Sequence, residues 1–315
     1  MLQILLAPFL LTTFLSLPQK ETPTQFRYGA MQPLQAVLEV MADTLPAQAA
    51  LRKRYKLTYD SANHQRVTAI YSIPQPKKIV YPAVILLAGS GGHKDTDYVR
   101  YTADMLSTLG IASLSIDAQY HGDRAVVGKS GDIHLVGDPD MRDAFIQTVI
   151  DLRRAVDFLA SKPEIDPKRI GYMGFSQGGI IGGTFIGVEP RINASILAVA
   201  GGGLIAAGKE RGLFTDSNAD AFATAARLTD PIYFIMGYAG RPLLMLSAKK
   251  DELIPKAMTD ALYGAASEPK EIVWFNSGHA LTPTALLVNV KAFFQKHLTS
   301  EVNAKDSTSG SHSRH

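Results

Sequence analysis

The stretch Arg169-Ile170-Gly171-Tyr172-Met173-Gly174-Phe175-Ser176-Gln177-Gly178-Gly179 decides the fold. An apolar run of strand type is followed by a serine flanked by glycines and then by a small-residue segment, 180–185, of helical type. A sharp strand-to-helix turn holds a serine hydroxyl in the open, and it needs glycines at both flanks because a Cβ there would clash with neighbouring backbone. This G-x-S-x-G pattern predicts a nucleophile elbow with Ser176 as nucleophile. A glycine-rich turn without catalytic role is the alternative.

Strands and helices alternate on both sides of this turn, from Ala83 to Leu298. Continuous apolar runs are typical of strands buried on both faces, and apolar residues at helical spacing predict amphipathic helices. The predicted strands are 83–88, 111–116, 170–173, 196–200, 243–247 and 272–275, and the predicted helices are 98–109, 141–161 and 286–298. This alternation predicts an α/β fold whose mostly parallel central sheet carries helices on both faces.

The residues before Ala83 follow a different pattern. Segments 54–59 and 66–73 alternate between polar and apolar residues around a turn-rich link, which predicts an antiparallel hairpin at the edge of the sheet. Segment 32–45 carries its apolar residues at helical spacing and is predicted to be a short helix.

The composition is that of an ordinary globular protein, with 46% hydrophobic and 19% charged residues in a chain of 315. The net charge is +3, and the basic residues are scattered rather than arranged in a stripe, so no nucleic-acid partner is predicted. The chain contains no cysteine, which excludes disulfides, thiolate metal sites and a cysteine nucleophile.

Both ends of the chain differ from its middle. Residues 1–19 are mostly apolar and are predicted to be a signal peptide of an exported protein, periplasmic or secreted; a buried or membrane-surface helix of a cytoplasmic protein is the alternative. No other segment approaches the length of a membrane span, so none is predicted in the mature protein. Residues 20–299 form the predicted catalytic domain, and the polar tail 300–315 is predicted to be disordered.

Two long excursions, 119–139 and 201–241, follow strands on the side where the serine emerges. Ligands of open α/β sheets bind outside the carboxyl ends of the strands. The excursions are therefore predicted to form the walls or the lid of a substrate pocket, with ordinary surface loops as the alternative. The first excursion places Tyr120 and His121 as candidate substrate-binding residues, although His121 could instead shape the loop.

A base and an acid follow Ser176 in the chain order Ser, Asp, His. His279 comes directly after the last predicted strand, where an imidazole can reach the serine hydroxyl. Asp251 comes after the preceding strand, and a carboxylate there can hold the imidazole in the required tautomer. The neighbouring Glu252 and the more distant Asp230 are weaker candidates for the acid.

An oxyanion hole requires two backbone N–H groups directed at the developing negative charge. Gln177, directly after the nucleophile, is predicted to supply one of them. The loop Ala88-Gly89-Ser90-Gly91-Gly92-His93 is predicted to supply the other, from Ser90 or, in reserve, from Gly89. A phosphate-binding loop is the alternative, but the segment lacks the Lys-Ser/Thr ending of a P-loop.

These motifs together resemble an α/β-hydrolase of the dienelactone-hydrolase-like group of esterases, from Pro82 to Leu298. The resemblance rests on segments 87–92 and 117–124, on the elbow, and on the segments that carry Asp251 and His279. Two departures are visible: Ala88-Gly89 stands where family members usually have His-Gly, and Ser176 stands where dienelactone hydrolases proper have cysteine. The elbow is also similar to that of acyl-protein thioesterases and acetyl xylan esterases, whose other motifs are not evident.

The resemblance implies a serine hydrolase that cleaves a small-molecule carboxylic ester through an acyl-enzyme intermediate, with no metal and no organic cofactor. Ser176, Asp251 and His279 would be catalytic, and Gly89 would contact the substrate together with the residues of the first excursion. A serine peptidase or an acyl-thioesterase on the same fold is the main alternative, and a non-enzymatic binding protein is the least favoured.

Overall fold

The computed structural model describes residues 21–29, 32–42, 46–75, 80–132 and 139–299. The predicted signal peptide and the predicted disordered tail lie outside the described residues.

Within the described residues, nine strands form one sheet in the spatial order β1-β2-β3-β5-β4-β6-β7-β8-β9. The strands are β1 Val37–Met41, β2 Arg52–Asp60, β3 Arg66–Pro74, β4 Tyr81–Leu87, β5 Ala112–Ile116, β6 Ile165–Phe175, β7 Ile192–Ala198, β8 Leu243–Ala248 and β9 Lys270–Phe275. Strands β4 to β9 run parallel to one another, whereas β1, β2 and β3 are antiparallel to their neighbours. The predicted mostly parallel sheet with an antiparallel hairpin is confirmed.

Helices cover both faces of this sheet. The helices are α1 Pro46–Leu51, α2 Asp97–Thr108, α3 Pro139–Ala160, α4 Gln177–Val188, α5 Leu204–Glu210, α6 Ala219–Thr229, α7 Lys256–Ala265 and α8 Pro283–Phe294. Alternate residues of one strand point to opposite faces. Thus Ile85 of β4 packs in the core beneath α3 and α4, whereas Leu86 packs in the core beneath α2 and α8. The long apolar runs of the sequence are explained because both faces of the central strands are buried.

The prediction of a helix over 32–45 is wrong. Residues 37–41 form β1, which pairs antiparallel with β2 in the register Val37↔Thr58 to Met41↔Arg54. As a result β1, and not the predicted hairpin, is the edge of the sheet. The side chains of Val37, Leu38 and Val40 are exposed, so no buried helical face formed there.

The second excursion, 201–241, contains α5 and α6, which the sequence did not reveal. The described part of the first excursion contains one short 3₁₀ turn, Gly122–Arg124, and otherwise irregular backbone. Both leave the sheet after the carboxyl end of a parallel strand, on the edge at which Ser176 lies. Within the described ranges, no helix is both long enough and apolar enough to cross a bilayer.

Candidate active site

Ser176 occupies the turn between β6 and α4 in a backbone conformation that serine rarely adopts, with φ 52° and ψ −115°. Such a conformation costs on the order of 1–3 kcal/mol and persists only where the surroundings impose it. Here the Ser176 N–H donates to the carbonyl oxygen of Ala198 at 2.8 Å, which fixes the turn to the end of β7. The serine side chain is therefore held out from the sheet edge by the backbone itself.

The flanking glycines are required by close contacts. A Cβ on Gly174 would lie 2.2 Å from the carbonyl oxygen of Gly178, and a Cβ on Gly178 would lie 2.4 Å from the carbonyl oxygen of Leu87. Both distances are far below van der Waals contact, and in each case the obstacle is backbone. The structure thus shows the clash with neighbouring backbone that the sequence analysis expected for a Cβ at either flanking position.

The structure brings Ser176, His279 and Asp251 together. The Ser176 Oγ lies 2.9 Å from His279 Nε2, and His279 Nδ1 lies 2.9 and 2.8 Å from the two carboxylate oxygens of Asp251. Asp251 follows β8 and His279 follows β9, so the carboxyl ends of adjacent parallel strands deliver both side chains to one edge. Three side chains separated by up to 103 positions in the sequence thus form one continuous chain of hydrogen bonds.

The carboxylate in this chain is well enclosed. The side chain of Asp251 is 3% exposed, and its Oδ1 also accepts the backbone N–H groups of Leu253 at 2.9 Å and Ile254 at 2.8 Å. The neighbouring Glu252 is exposed. Because a carboxylate only accepts hydrogen bonds, His279 Nδ1 carries the proton, and its Nε2 is left to accept the proton of the serine hydroxyl.

The two predicted sources of the oxyanion hole are joined through side chains. Ser90 Oγ donates to Gln177 Oε1 at 2.5 Å, and Gln177 Nε2 donates to the carbonyl oxygen of Gly131 at 2.8 Å. The side chain of Gln177, in the first turn of α4, therefore joins the loop after β4 to the first excursion. The N–H of Gly89, the reserve candidate, already donates to the Tyr98 hydroxyl at 3.0 Å.

Tyr98 was missed by sequence reasoning. Its ring packs against Phe175, with 4.9 Å between centroids, and burial raises the pKa of its hydroxyl. The phenol therefore stays neutral and accepts the Gly89 N–H without introducing a negative charge beside Ser176. Tyr98 lies in the first turn of α2, and nothing in its spacing from the glycine loop distinguished it from an ordinary core tyrosine.

Asp117 was also missed as a support of the site. Its buried carboxylate accepts the Lys94 N–H at 2.9 Å, the Lys94 ammonium at 2.5 Å and the Asp123 N–H at 3.1 Å. Burial alone would lower the pKa of Lys94, but the hydrogen bonds to Asp117 and Asp123 outweigh burial and raise that pKa. The loop after β4 and the first excursion are thus anchored to one ion cluster. The position of Asp117 directly after a buried strand was a usable signal.

The structure does not bring the other two predicted substrate contacts, Tyr120 and His121, to Ser176. The buried ring of His121 lies 2.9 Å from the carbonyl oxygen of Gln119 and 3.1 Å from a carboxylate oxygen of Asp132, so it braces the excursion. Tyr120 adopts φ 64° in the same turn. Neither residue belongs to the walls of the two cavities beside Ser176, whereas Gly89 does.

Asp230, the weaker acid candidate, has a structural role. Its buried carboxylate accepts the backbone N–H groups of Gly203, Leu204 and Ile232, which fixes the start of α5 against the end of α6. Burial raises the pKa of Asp230, although these hydrogen bonds oppose the shift. Among the residues that the structure describes, no cluster of three or more histidines and carboxylates could hold a metal ion.

Two cavities meet at Ser176, and both also touch Ser90 and Leu253. The smaller, of about 210 Å³, runs beneath the second excursion between α5, α6 and α7. The larger, of about 320 Å³, runs past His279 toward the start of α8. The second excursion thus supplies part of a cavity wall at Ser176.

We expect Gln177→Leu to lower kcat for ester hydrolysis by about tenfold with little change in KM, less than the 10²–10³-fold that follows loss of an oxyanion donor. The substitution removes the tie between the Ser90 loop and Gly131 but keeps the backbone N–H. Gln147→Leu is the control, because Gln147 is buried and donates to Asp151 at 2.7 Å away from the nucleophile. Steady-state kinetics checks both variants, and an unchanged kcat for Gln177→Leu would contradict the bracing role.

The mostly parallel sheet, with Ser176, Asp251 and His279 at the carboxyl ends of its strands, defines a protein of the α/β-hydrolase fold. Comparison with known proteins identifies the family. Residues 19–200 match the family model of acetyl xylan esterase (AXE1), and the chain belongs to that family. It is a family of carboxylic ester hydrolases. The dienelactone-hydrolase-like subtype that the sequence suggested is not confirmed, and the acetyl xylan esterases, set aside there for want of further motifs, are the family found.

Two solved structures share the fold. The acetyl xylan esterase from Paenibacillus sp. R4 is 20% identical, with a TM-score of 0.69 over 83% of this chain and 90% of that one. Acetyl xylan esterase 1 from Thermoanaerobacterium sp. JW/SL YS485 is 19% identical, with a TM-score of 0.68 over 85% of this chain and 89% of that one.

A relative of known sequence, described as "Putative hydrolase YtaP" from Bacillus subtilis (strain 168), is 26% identical over 154 residues. That match covers 44% of this chain and spans half the length of the relative.

Proposed function

We propose that this protein is a serine hydrolase that cleaves carboxylic esters through an acyl-enzyme intermediate. One observation carries the proposal: the hydroxyl, the imidazole and the carboxylate of Ser176, His279 and Asp251 form an unbroken hydrogen-bonded chain with contacts of 2.8–2.9 Å. Membership of the acetyl xylan esterase family supports an ester rather than an amide as the substrate.

In the first half of the reaction, His279 Nε2 takes the proton of Ser176 as Oγ attacks the ester carbonyl carbon. The negative charge that develops on the carbonyl oxygen is stabilised by the backbone N–H groups of Ser90 and Gln177. The ester C–O bond then breaks, and the proton on His279 passes to the departing alcohol oxygen. The acyl group remains bonded to Ser176.

In the second half, His279 removes a proton from water, whose oxygen attacks the acyl carbon. The bond to Ser176 Oγ breaks, the serine recovers its proton from His279, and the carboxylic acid leaves. Asp251 accepts the hydrogen bond of the Nδ1–H group throughout and stabilises the imidazolium each time it forms. The proton transfers between Ser176 and His279 use atoms that already lie 2.9 Å apart.

A fluorophosphonate probe tests the nucleophile directly. We expect stoichiometric labelling, with the adduct mapped by mass spectrometry to the peptide that contains Ser176, and no labelling after denaturation. A panel of p-nitrophenyl esters, acyl-thioesters and aminoacyl anilides tests the reaction class, and we expect esters to give the highest kcat/KM. Cleavage of anilides without cleavage of esters would instead identify a peptidase.

A further inference from the structure

The two cavities at Ser176 can be assigned to the two halves of an ester, given the proposed function on which this inference rests. His279 has to deliver a proton to the departing alcohol oxygen and later to take one from water, so both must lie beside its Nε2. His279, Ala280 and Leu281 line the larger cavity and do not line the smaller one. The larger cavity therefore faces the alcohol and the incoming water, and the smaller one faces the acyl group.

The acyl cavity is too large for an acetyl group. Its volume is about 210 Å³. A dry apolar cavity of roughly 150 Å³ holds a benzene ring, so this space accommodates about six carbon atoms beyond the carbonyl. An acetyl group would place a single methyl there and would leave most of the wall without a contact.

The wall of the acyl cavity is mostly apolar. It is lined by Ile180 of α4, Leu204 of α5, Phe222 of α6 and Met258 of α7. Its one charged side chain is the exposed Arg211, which donates to the carbonyl oxygen of Leu253 at 2.5 Å. Such a wall favours an alkyl chain, because polar groups would lose hydrogen bonds to water without replacing them.

We propose that the physiological substrates are esters of medium-length fatty acids, with acyl groups of about six to eight carbons. Ser176 Oγ bonds to the acyl carbon, the ester C–O bond breaks, and the proton passes through His279 to the alcohol. Water then releases the fatty acid, so the products are one carboxylic acid and one alcohol. The α5–α6 segment sets the chain length, because it closes the side of the cavity opposite the sheet.

The test is a series of p-nitrophenyl esters from acetate to decanoate. Each methylene buried in the cavity contributes up to about fourfold in kcat/KM. We expect hexanoate to exceed acetate by at least about tenfold and decanoate to fall below octanoate. Alkylboronic acids, which bond to the serine as the acyl group does, should inhibit more tightly with each carbon up to about six.

Two matched variants on α5 locate the effect. Ala207 lines the acyl cavity, whereas Ala206 on the same helix is exposed. Ala207→Phe fills the cavity and should lower the hexanoate-to-acetate ratio of kcat/KM by about tenfold or more, since several methylenes lose their contacts. Ala206→Phe should leave that ratio within about twofold, as expected for a surface substitution away from the site.

The outcomes separate the two proposals. If no ester is hydrolysed and the fluorophosphonate leaves Ser176 unlabelled, the proposed function itself fails. If esters are hydrolysed but acetate is preferred, or if Ala207→Phe and Ala206→Phe shift the ratio equally, the proposed function stands and the fatty-acyl assignment is overturned. The boronic acid series on the unaltered protein decides the same question should Ala207→Phe fail to fold.

Discussion

Replacing Ser176 with alanine is expected to lower kcat for ester hydrolysis by about 10³-fold or more, because the group that forms the covalent bond in the proposed mechanism is lost. The residual rate would come from the oxyanion hole and substrate binding, which the substitution leaves in place. Steady-state kinetics with a p-nitrophenyl ester measures the loss. Labelling by a fluorophosphonate should disappear in the same variant.

Ser247→Ala is the matched control for this prediction. Ser247 is buried in β8, two strands away from β6 and the elbow, and its hydroxyl has no hydrogen-bond partner among the described residues. Its removal should leave kcat within about twofold and the melting temperature unchanged within a few degrees. A Ser176→Ala variant that kept near-normal turnover would assign the nucleophile elsewhere.

The second large effect is expected from Asp251→Asn, with a fall in kcat of about 10⁴-fold, the size seen when the wrong histidine tautomer is imposed. The backbone N–H groups of Leu253 and Ile254 both point at Oδ1 and will hold the amide oxygen there. The amide NH₂ of the variant then faces His279 Nδ1 and donates to it. His279 must place its proton on Nε2, where it can no longer accept the proton of the serine hydroxyl.

Glu252→Gln is the control for Asp251→Asn, because it makes the same chemical change at the neighbouring, exposed position. Its kcat should stay within about twofold of the unaltered protein. Circular dichroism should show that both variants retain the fold. A loss in Glu252→Gln alone would move the acid from position 251 to position 252, and equal losses in the two variants would contradict a role specific to Asp251.

The central sheet could be predicted because its strands are buried on both faces. Apolar runs such as Val84-Ile85-Leu86 need no knowledge of their neighbours to be recognised. Strand β1 could not be predicted in this way, since its exposed side chains carry no alternating pattern and only its pairing with β2 makes it a strand. Edge strands depend on a partner that is distant in sequence, so local spacing misled the prediction there.

The candidate triad could be located because the order Ser, Asp, His and the ends of successive strands restrict the choice to few residues. The position of Asp117 after a buried strand was a usable signal, but the contacts that support the site could not be located from spacing. The tie from Gln177 to Gly131 joins residues 46 positions apart, and the contact from Lys94 to Asp117 joins residues 23 apart. Such contacts depend on how two irregular loops meet above the sheet edge. The periodic spacing of apolar residues in the sequence does not predict contacts between loops.

The tie between Gln177 and Gly131 also limits how the family can diversify. A loop that folds over a sheet edge usually tolerates insertions and deletions freely. In this protein the carbonyl oxygen of Gly131, in the first excursion, must stay within hydrogen-bond distance of the Gln177 side-chain amide. Insertions or deletions on either side of Gly131 must preserve that contact. Length variation among relatives that keep this amide should therefore cluster before and after that point, with the anchoring position itself spared.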